Sequence, residues 1–247
     1  MAGNDKTAPL VDPAAVDFEK VYRDGTLADG IAMDKPPWDT GAPEPILVRI
    51  EQAGRISGEV LDIGCGPGDN AVYLASRGHA VTGLDVSPSA IEQARSRAAA
   101  QHVRVEFAVA DATDLAGYDN RFDTVISSLL LHCLDPQQRS AHLAALTRVT
   151  KPGGRLIMSC FPDDSPTVSL TPYPIGEAEL RRSFPPPEWA ITTLRQDRIT
   201  GGTLPEGVLD LVHDRGIQLE YDANGALLMA AWILEAEKAR PGEGTRP

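Results

Sequence analysis

The chain has 247 residues, 42% of them hydrophobic, which is enough for one sizeable core. Its 23 Lys and Arg against 35 Asp and Glu leave a formal net charge of −12, which repels a phosphate backbone and makes nucleic acid a poor partner. The first ten residues include Asn4, Asp5 and Lys6 and no apolar signal core, and no apolar run is long enough to span a bilayer. Cys65, Cys133 and Cys160 form neither a disulfide framework nor a zinc pattern, so a cytoplasmic protein with no membrane attachment and no metal is expected.

Residues 1 to about 45 hold Pro9, Pro13, Pro36, Pro37, Pro43 and Pro45 and one helical patch at Val16–Tyr22, so they are expected to drape over a core as a lid. From Glu59, short apolar runs alternate with helix-period stretches, the rhythm of a mainly parallel sheet covered on both faces. Strands are predicted at Val60–Ile63, Ala80–Leu84, Val103–Val109, Phe122–Ile126 and Arg155–Ser159, with helices at Asn70–Ser76, Pro88–Ala100 and Gln137–Val149. Pro88 and Pro136 suit first helical turns, while Gly78 and Lys151-Pro152-Gly153-Gly154 supply ends and a turn. Beyond Phe161 a proline-rich stretch leads to a helix at Glu177–Arg182 and strands in Trp189–Arg195 and Ala226–Leu234, and residues 237–247 read as a flexible tail. No repeat or composition break marks a second domain.

The strongest local feature is Asp62-Ile63-Gly64-Cys65-Gly66-Pro67-Gly68, directly after a strand and before a helix. Glycines are needed where the chain turns tightly and its backbone approaches a ligand at the carboxyl ends of strands. Counted from Gly64, the sixth position of a dinucleotide fingerprint is Asp69 rather than Gly, and a carboxylate faces a pyrophosphate badly. A cofactor with an ammonium group and no phosphate, S-adenosylmethionine, has no such conflict, with Asp62 organising the ammonium. Asp85 ends the next strand, where it can accept from both ribose hydroxyls, with Val86 beside it, and Asp111 and Ala112 end the third, on the adenine side. Taken singly, Asp85 and Asp111 could be plain turn formers. Taken together with the glycine turn, they point to cofactor binding.

These residues resemble class I S-adenosylmethionine-dependent methyltransferases over roughly Glu59 to Ser159. The resemblance implies a single α/β domain with a Rossmann-like seven-stranded sheet and helices on both faces, a cofactor-binding core at 59–160, and substrate-side elements with the last strands at 161–236. The Lys35–Pro45 stretch looks like that of the thiopurine, thiol and halide methyltransferase branch. It also resembles actinobacterial benzoquinone-methyltransferase-like proteins, which have counterparts of Phe18–Tyr22 and His132. That implies a lid helping to build the substrate pocket, with Trp38 near the sulfonium or simply packed in the lid.

The expected reaction is methyl transfer to an oxygen or nitrogen of a small aromatic or quinone-like molecule, yielding S-adenosylhomocysteine. A small thiol or halide acceptor, a catalytically inactive cofactor-binding regulator and an NAD oxidoreductase are the alternatives. Alignment and water exclusion should carry most of the rate, with a base useful for a protic acceptor. His132, shortly after the fourth strand, is the candidate base, or else it lines an apolar pocket. Ser127 is placed at the methionine end through its backbone, Cys133 is assigned to packing, and Tyr22 and Tyr173 join Trp38 and His132 as pocket candidates, as does Trp189 if it is not core. The resemblance leaves the oligomeric state open.

Overall fold

The structure, a computed structural model, describes residues 8–28 and 31–242. Residues 1–7, 29 and 30 of the predicted lid and 243–247 of the predicted tail lie outside the described residues. Helix α1 (Phe18–Asp24) starts at Asp17, whose carboxylate accepts from the Glu19 and Lys20 amides, and ends at left-handed Gly25. The short antiparallel pair β1 (Thr26–Ala28) and β2 (Ile31–Ala32) precedes α2 (Pro45–Gln52), which buries Ile46, Leu47 and Ile50. Next come β3 (Glu59–Ile63), α3 (Asp69–Ser76), β4 (Ala80–Asp85), α4 (Pro88–Ala100), β5 (Glu106–Val109), β6 (Phe122–Ser128), α5 (Pro136–Val149) and β7 (Thr150–Cys160). The chain closes with α6 (Glu177–Ser183), β8 (Trp189–Gly201), α7 (Glu206–Asp214), β9 (Glu220–Tyr221) and β10 (Leu227–Lys238).

The main sheet has the order β5-β4-β3-β6-β7-β10-β8, with β9 added on β10. Its first five strands are parallel, and β10 runs antiparallel to both β7 and β8. Because side chains alternate along a strand, neighbouring residues feed opposite layers. Leu61, Val125, Leu156 and Met158 face α5 and α6, whereas Val60, Ile126 and Ile157 face α2, α3 and α4. The result is one domain with a Rossmann-like sheet covered on both faces. No helix among the described residues is long and apolar enough to cross a membrane.

Several boundaries differ from the sequence reading for local reasons. The strand predicted from Val103 begins at Glu106, because the Val103 amide turns back to the Ala98 carbonyl to close α4. The last strand runs through Glu237 and Lys238, which were assigned to the tail. Glu237 pairs with Arg155 across the sheet, and Lys238 Nζ donates to the Thr147 and Thr150 carbonyls at 2.6 and 2.9 Å. The Lys151–Gly154 turn is a register slip inside β7, made at Gly153 with φ +77°. The sequence reading missed α2, α7, the β1–β2 pair and β9. Trp189 is core, 2% exposed, with its indole N–H on Thr147 Oγ1.

The amino-terminal segment is tied down along its length. Glu19 accepts from Ser87 Oγ, Ser89 N and Ser89 Oγ at 2.6, 3.1 and 2.8 Å, fixing α1 to the start of α4. Asp39 takes two bonds from Arg97, at 2.9 and 2.7 Å, and Arg97 also pairs with Asp69 at 2.8 Å. Burial pushes the Asp39 carboxyl up, but the Arg97 bonds and charge, helped by Lys35, outweigh it and hold the pKa below the usual value. At the far side of the sheet the Pro37 carbonyl accepts from Gly202 N at 2.6 Å. Replacing Arg97 by Ala strands a buried carboxylate with only partly exposed Lys35 beside it. The expected loss is about 2 kcal/mol of stability, discounted for the partial exposure of Arg97. Amide exchange should accelerate selectively across residues 31–45, and uniform exchange in the variant would mean that this pair does not hold the segment.

Candidate functional site

The glycine turn leaves β3 at the carboxyl edge of the sheet. Gly64, Gly66 and Gly68 all have positive φ, at +69°, +51° and +86°, a region that side chains disfavour. A Cβ on Gly68 would meet Ala94 Cβ at 2.8 Å, and one on Gly66 would meet the Tyr22 hydroxyl at 2.9 Å. The first is a packing requirement between α3 and α4. The second is a cradle in which backbone is left bare beneath Tyr22. The Gly64 and Cys65 amides both donate to the Leu84 carbonyl, at 2.8 and 3.0 Å. Cys65 itself is buried, and burial raises its thiol pKa, so it stays neutral.

Asp62 is 1% exposed, and its Oδ2 has no hydrogen-bond partner. Burial first, then the charge of Asp85, pushes its pKa to about 7, against the lowering effect of the Ala71 amide. Asp85 accepts from Gly66 N through Oδ2 at 2.8 Å and from Ser87 N through Oδ1 at 2.9 Å. Its pKa is raised by burial despite these bonds. Beyond it, Val86 is 57% exposed, and Val109 at the end of the paired strand β5 is 51% exposed. Both lie where the two strands end. Asp111 spends Oδ1 on the Thr113 amide and hydroxyl, at 2.8 and 2.7 Å, so the turn-forming role weighed for it is real and Oδ2 is left over.

On the other side of the glycine turn, His132 is buried in a short 3-10 turn, with its ring against Phe161 at a centroid distance of 4.3 Å. Burial, followed by the charge of Arg139, lowers its pKa to about 3, and its Nδ1 lacks a partner. Arg139, itself buried, donates to the carbonyls of Leu131 and Tyr173 and to Glu179. Tyr173 N donates to the His132 carbonyl at 3.0 Å, so two of the predicted pocket residues share one clamped wall. Burial raises the neighbouring Cys133 thiol to about 12, which leaves it no nucleophilic character. Over the glycines, Trp38 donates its indole N–H to the Tyr22 hydroxyl at 2.8 Å and packs edge-on against Phe18.

The structure therefore brings Tyr22 and Trp38 to the glycine cradle, and His132 and Tyr173 to a common wall. Ser127 is turned away from the cradle. Its hydroxyl lies 3.3 Å from His142 Nε2, while His142 Nδ1 lies 2.9 Å from the Ala112 carbonyl. A carbonyl only accepts, so Nδ1 carries the proton and Ser127 donates to Nε2. The fully buried His142 thus fastens the loop after β5 to β6. Sequence reasoning missed His142, Arg139 and Val109. His142 and Arg139 lie at i and i+3 on α5, a spacing that puts them on one face, but only the fold shows what that face meets.

A family model described as methyltransferase domain matches residues 60–154. A protein of Mycobacteroides abscessus named 2-heptyl-1-hydroxyquinolin-4(1H)-one methyltransferase is 34% identical over 223 residues, 90% of this chain and 96% of its own. This chain is an S-adenosylmethionine-dependent methyltransferase. A solved structure described by the conversion of a disulfide bond into a thioacetal group during echinomycin biosynthesis is 33% identical, covers 91% of this chain and 93% of its own, and superposes with a TM-score of 0.72. A magnesium protoporphyrin IX methyltransferase from Synechocystis, solved with S-adenosylhomocysteine, shares the fold at 22% identity and a TM-score of 0.58, covering 78% of this chain and 80% of its own.

The residues of this methyltransferase fit the cofactor. An unpartnered buried carboxylate oxygen suits an ammonium group, and a turn whose glycines carry no Cβ suits a ligand close to backbone. Asp62 offers a test by pH. Its raised pKa means that the cofactor-free protein loses stability as pH climbs from the unfolded carboxyl value of about 4 through about 7. A cationic ligand group selects the ionised form, so S-adenosylhomocysteine affinity should rise between pH 6 and 8, with proton release. In Asp62→Asn the rise should vanish, and an unchanged pH dependence in calorimetry would remove Asp62 from the ammonium site.

Proposed function

We propose that this enzyme transfers the methyl group of S-adenosylmethionine to an oxygen or nitrogen of a small aromatic or quinone-like acceptor. The observation that carries the reading is the clamped wall of His132, Phe161 and Tyr173. Aromatic faces line it, and one buried imidazole nitrogen is left without a partner. The hydroxyquinolinone in the name of the Mycobacteroides relative supports the same chemistry. The net charge of −12 speaks for a free small molecule rather than nucleic acid.

In this reading Asp62 holds the cofactor's ammonium, and the backbone of Gly64, Cys65, Gly66 and Gly68 lies along its amino-acid part. Asp85 holds the ribose, Val86, Asp111 and Ala112 border the adenine, and the Ser127 backbone borders the methionine end. The cofactor supplies an electrophilic methyl group on a sulfonium. Everything else asked of the chain is alignment and dryness. Residues 8–28 and 31–45 act as the lid, with Tyr22 and Trp38 roofing the cradle. His132, neutral throughout the physiological range, hydrogen-bonds and orients the acceptor. A second reading, a sulfur acceptor, is favoured by the 33% identity to the structure from echinomycin biosynthesis, whose described reaction takes place at sulfur.

Labelled methyl transfer to 2-heptyl-1-hydroxyquinolin-4(1H)-one, a hydroquinone, an N-heterocycle and an aryl thiol, assayed in parallel, tests both readings. Transfer to the first three classes supports the proposal, and transfer to the thiol alone replaces it with the second reading. For His132→Ala, kcat/KM should fall about tenfold or more. Because burial keeps the imidazole uncharged above about pH 4, the pH profile from 5 to 9 should keep its shape. Loss of a titrating limb in that range would show that His132 serves as a base instead.

A further inference from the structure

Glu44 sits between Pro43 and Pro45, at the turn where the amino-terminal segment passes into α2. Its amide donates to Asn70 Oδ1 at 2.9 Å, which fixes this turn against the first turn of α3, just past the glycines. Its side chain borders a small cavity of about 20 Å³, which Ser128 and Ser159 also line from the carboxyl ends of β6 and β7. That volume is enough for one water or for the tip of a ligand. Glu44 Oε2 is buried and has no hydrogen-bond partner among the described residues. Among the described residues no charged group lines the cavity with it. α3 contributes Asn70, β7 contributes Ile157, Met158 and Ser159, β10 contributes Ile233, and the rest of the lining from α2 and β6 is apolar or hydroxyl.

A carboxyl in such a place is costly to the fold unless something arrives to satisfy it. Two residues of the cavity lining, Ser128 and Ser159, stand at the strand ends from which the chain leads to His132 and to Phe161. The Leu129 amide donates to both the carbonyl and the hydroxyl of Ser159, and the backbone then runs directly into the His132 turn. The imidazole there is too weak a base to keep a proton, and Asp62 already answers for the cofactor's ammonium.

We propose that Glu44 is the proton acceptor of the methyl-transfer reaction, and so selects acceptors that present an O–H or N–H. The proposal rests on the acceptor class put forward above. In the step, the acceptor's O–H or N–H bond breaks and its proton moves to Glu44, which becomes a carboxylic acid. The electron pair left on the acceptor forms the new bond to the methyl carbon as the carbon–sulfur bond breaks, its pair staying on a now neutral thioether. Burial raises the Glu44 pKa to about 7, so the carboxylate is well populated at neutral pH and yet basic enough to hold the proton.

Glu44→Gln keeps the shape and removes the base. With 2-heptyl-1-hydroxyquinolin-4(1H)-one as probe, kcat should drop by about a hundredfold or more while S-adenosylhomocysteine affinity stays within about twofold. The probe's own ionisation is common to both proteins, so the ratio of their pH profiles should rise through about pH 7. A kcat within twofold of the parent overturns the proposal. So does a tenfold loss of S-adenosylhomocysteine affinity, which would give Glu44 to the cofactor.

Binding of the same probe to the S-adenosylhomocysteine complex needs no turnover and separates the two proposals. A parent affinity that strengthens through pH 7 relative to Glu44→Gln upholds Glu44 even if no acceptor is methylated, whereas identical curves sink it. Thermal unfolding checks that the variant folds. A raised carboxyl pKa removes stability as pH climbs from about 4.3 through about 7, so Glu44→Gln should match the parent below about pH 4 and melt higher above pH 7.

Discussion

The site depends on the lacing of β3 to β4 at their carboxyl ends. One carbonyl, that of Leu84, accepts the amides of Gly64 and Cys65, and one carboxylate, that of Asp85, accepts the amide of Gly66. Three consecutive amides of a turn are thereby assigned to the neighbouring strand. The turn cannot relax into an ordinary helix entry, and only residues that tolerate positive φ can occupy it. Everything that meets the turn inherits its position: α4 packed at Gly68 through Ala94, Tyr22 above Gly66, and Leu130 against Gly64.

Around that turn the fold buries three carboxyl groups with raised pKa values, Asp62, Asp85 and Glu44. Asp85 is held by amides, while Asp62 and Glu44 each leave one oxygen unpartnered. Such arrangements weaken a fold. They are sustained here because the parallel core on both faces of the sheet is large and because the amino-terminal segment is pinned by Glu19 and Asp39 to α4. A site that keeps acids dry before its ligand arrives spends little reorganisation when the ligand does arrive.

The wall of His132, Phe161 and Tyr173 is built differently. It comes from irregular segments after β6 and β7, whose backbone groups a regular sheet would have paired. Arg139 replaces that pairing by donating to the carbonyls of Leu131 and Tyr173. Leu129, with φ +55°, makes the bend that lets the chain leave β6 toward His132. Rigid strands thus position Asp62, Asp85 and the glycine turn, whereas a buried guanidinium positions the segments of His132 and Tyr173.

The βαβ rhythm, the five parallel strands and the ordered series Asp62, glycine turn, Asp85 and Asp111 were legible in the amino-acid order, because each depends on neighbours within a few residues. Proline at first helical turns and glycine at positive φ are likewise local requirements, and the helix starts at Pro88 and Pro136 agreed with the structure almost to the residue. What the order of residues left open was long-range. Ser127 turning to His142, Arg139 reaching two carbonyls, and Glu44 losing its solvent over a cavity at the strand ends each join residues far apart in the chain. A carboxylate at a proline-flanked turn reads as solvated until the sheet beneath it exists. The sequence alone determined the glycine turn and the acidic strand ends beside it, through local backbone geometry, and tertiary packing alone decided which polar groups lie buried without partners.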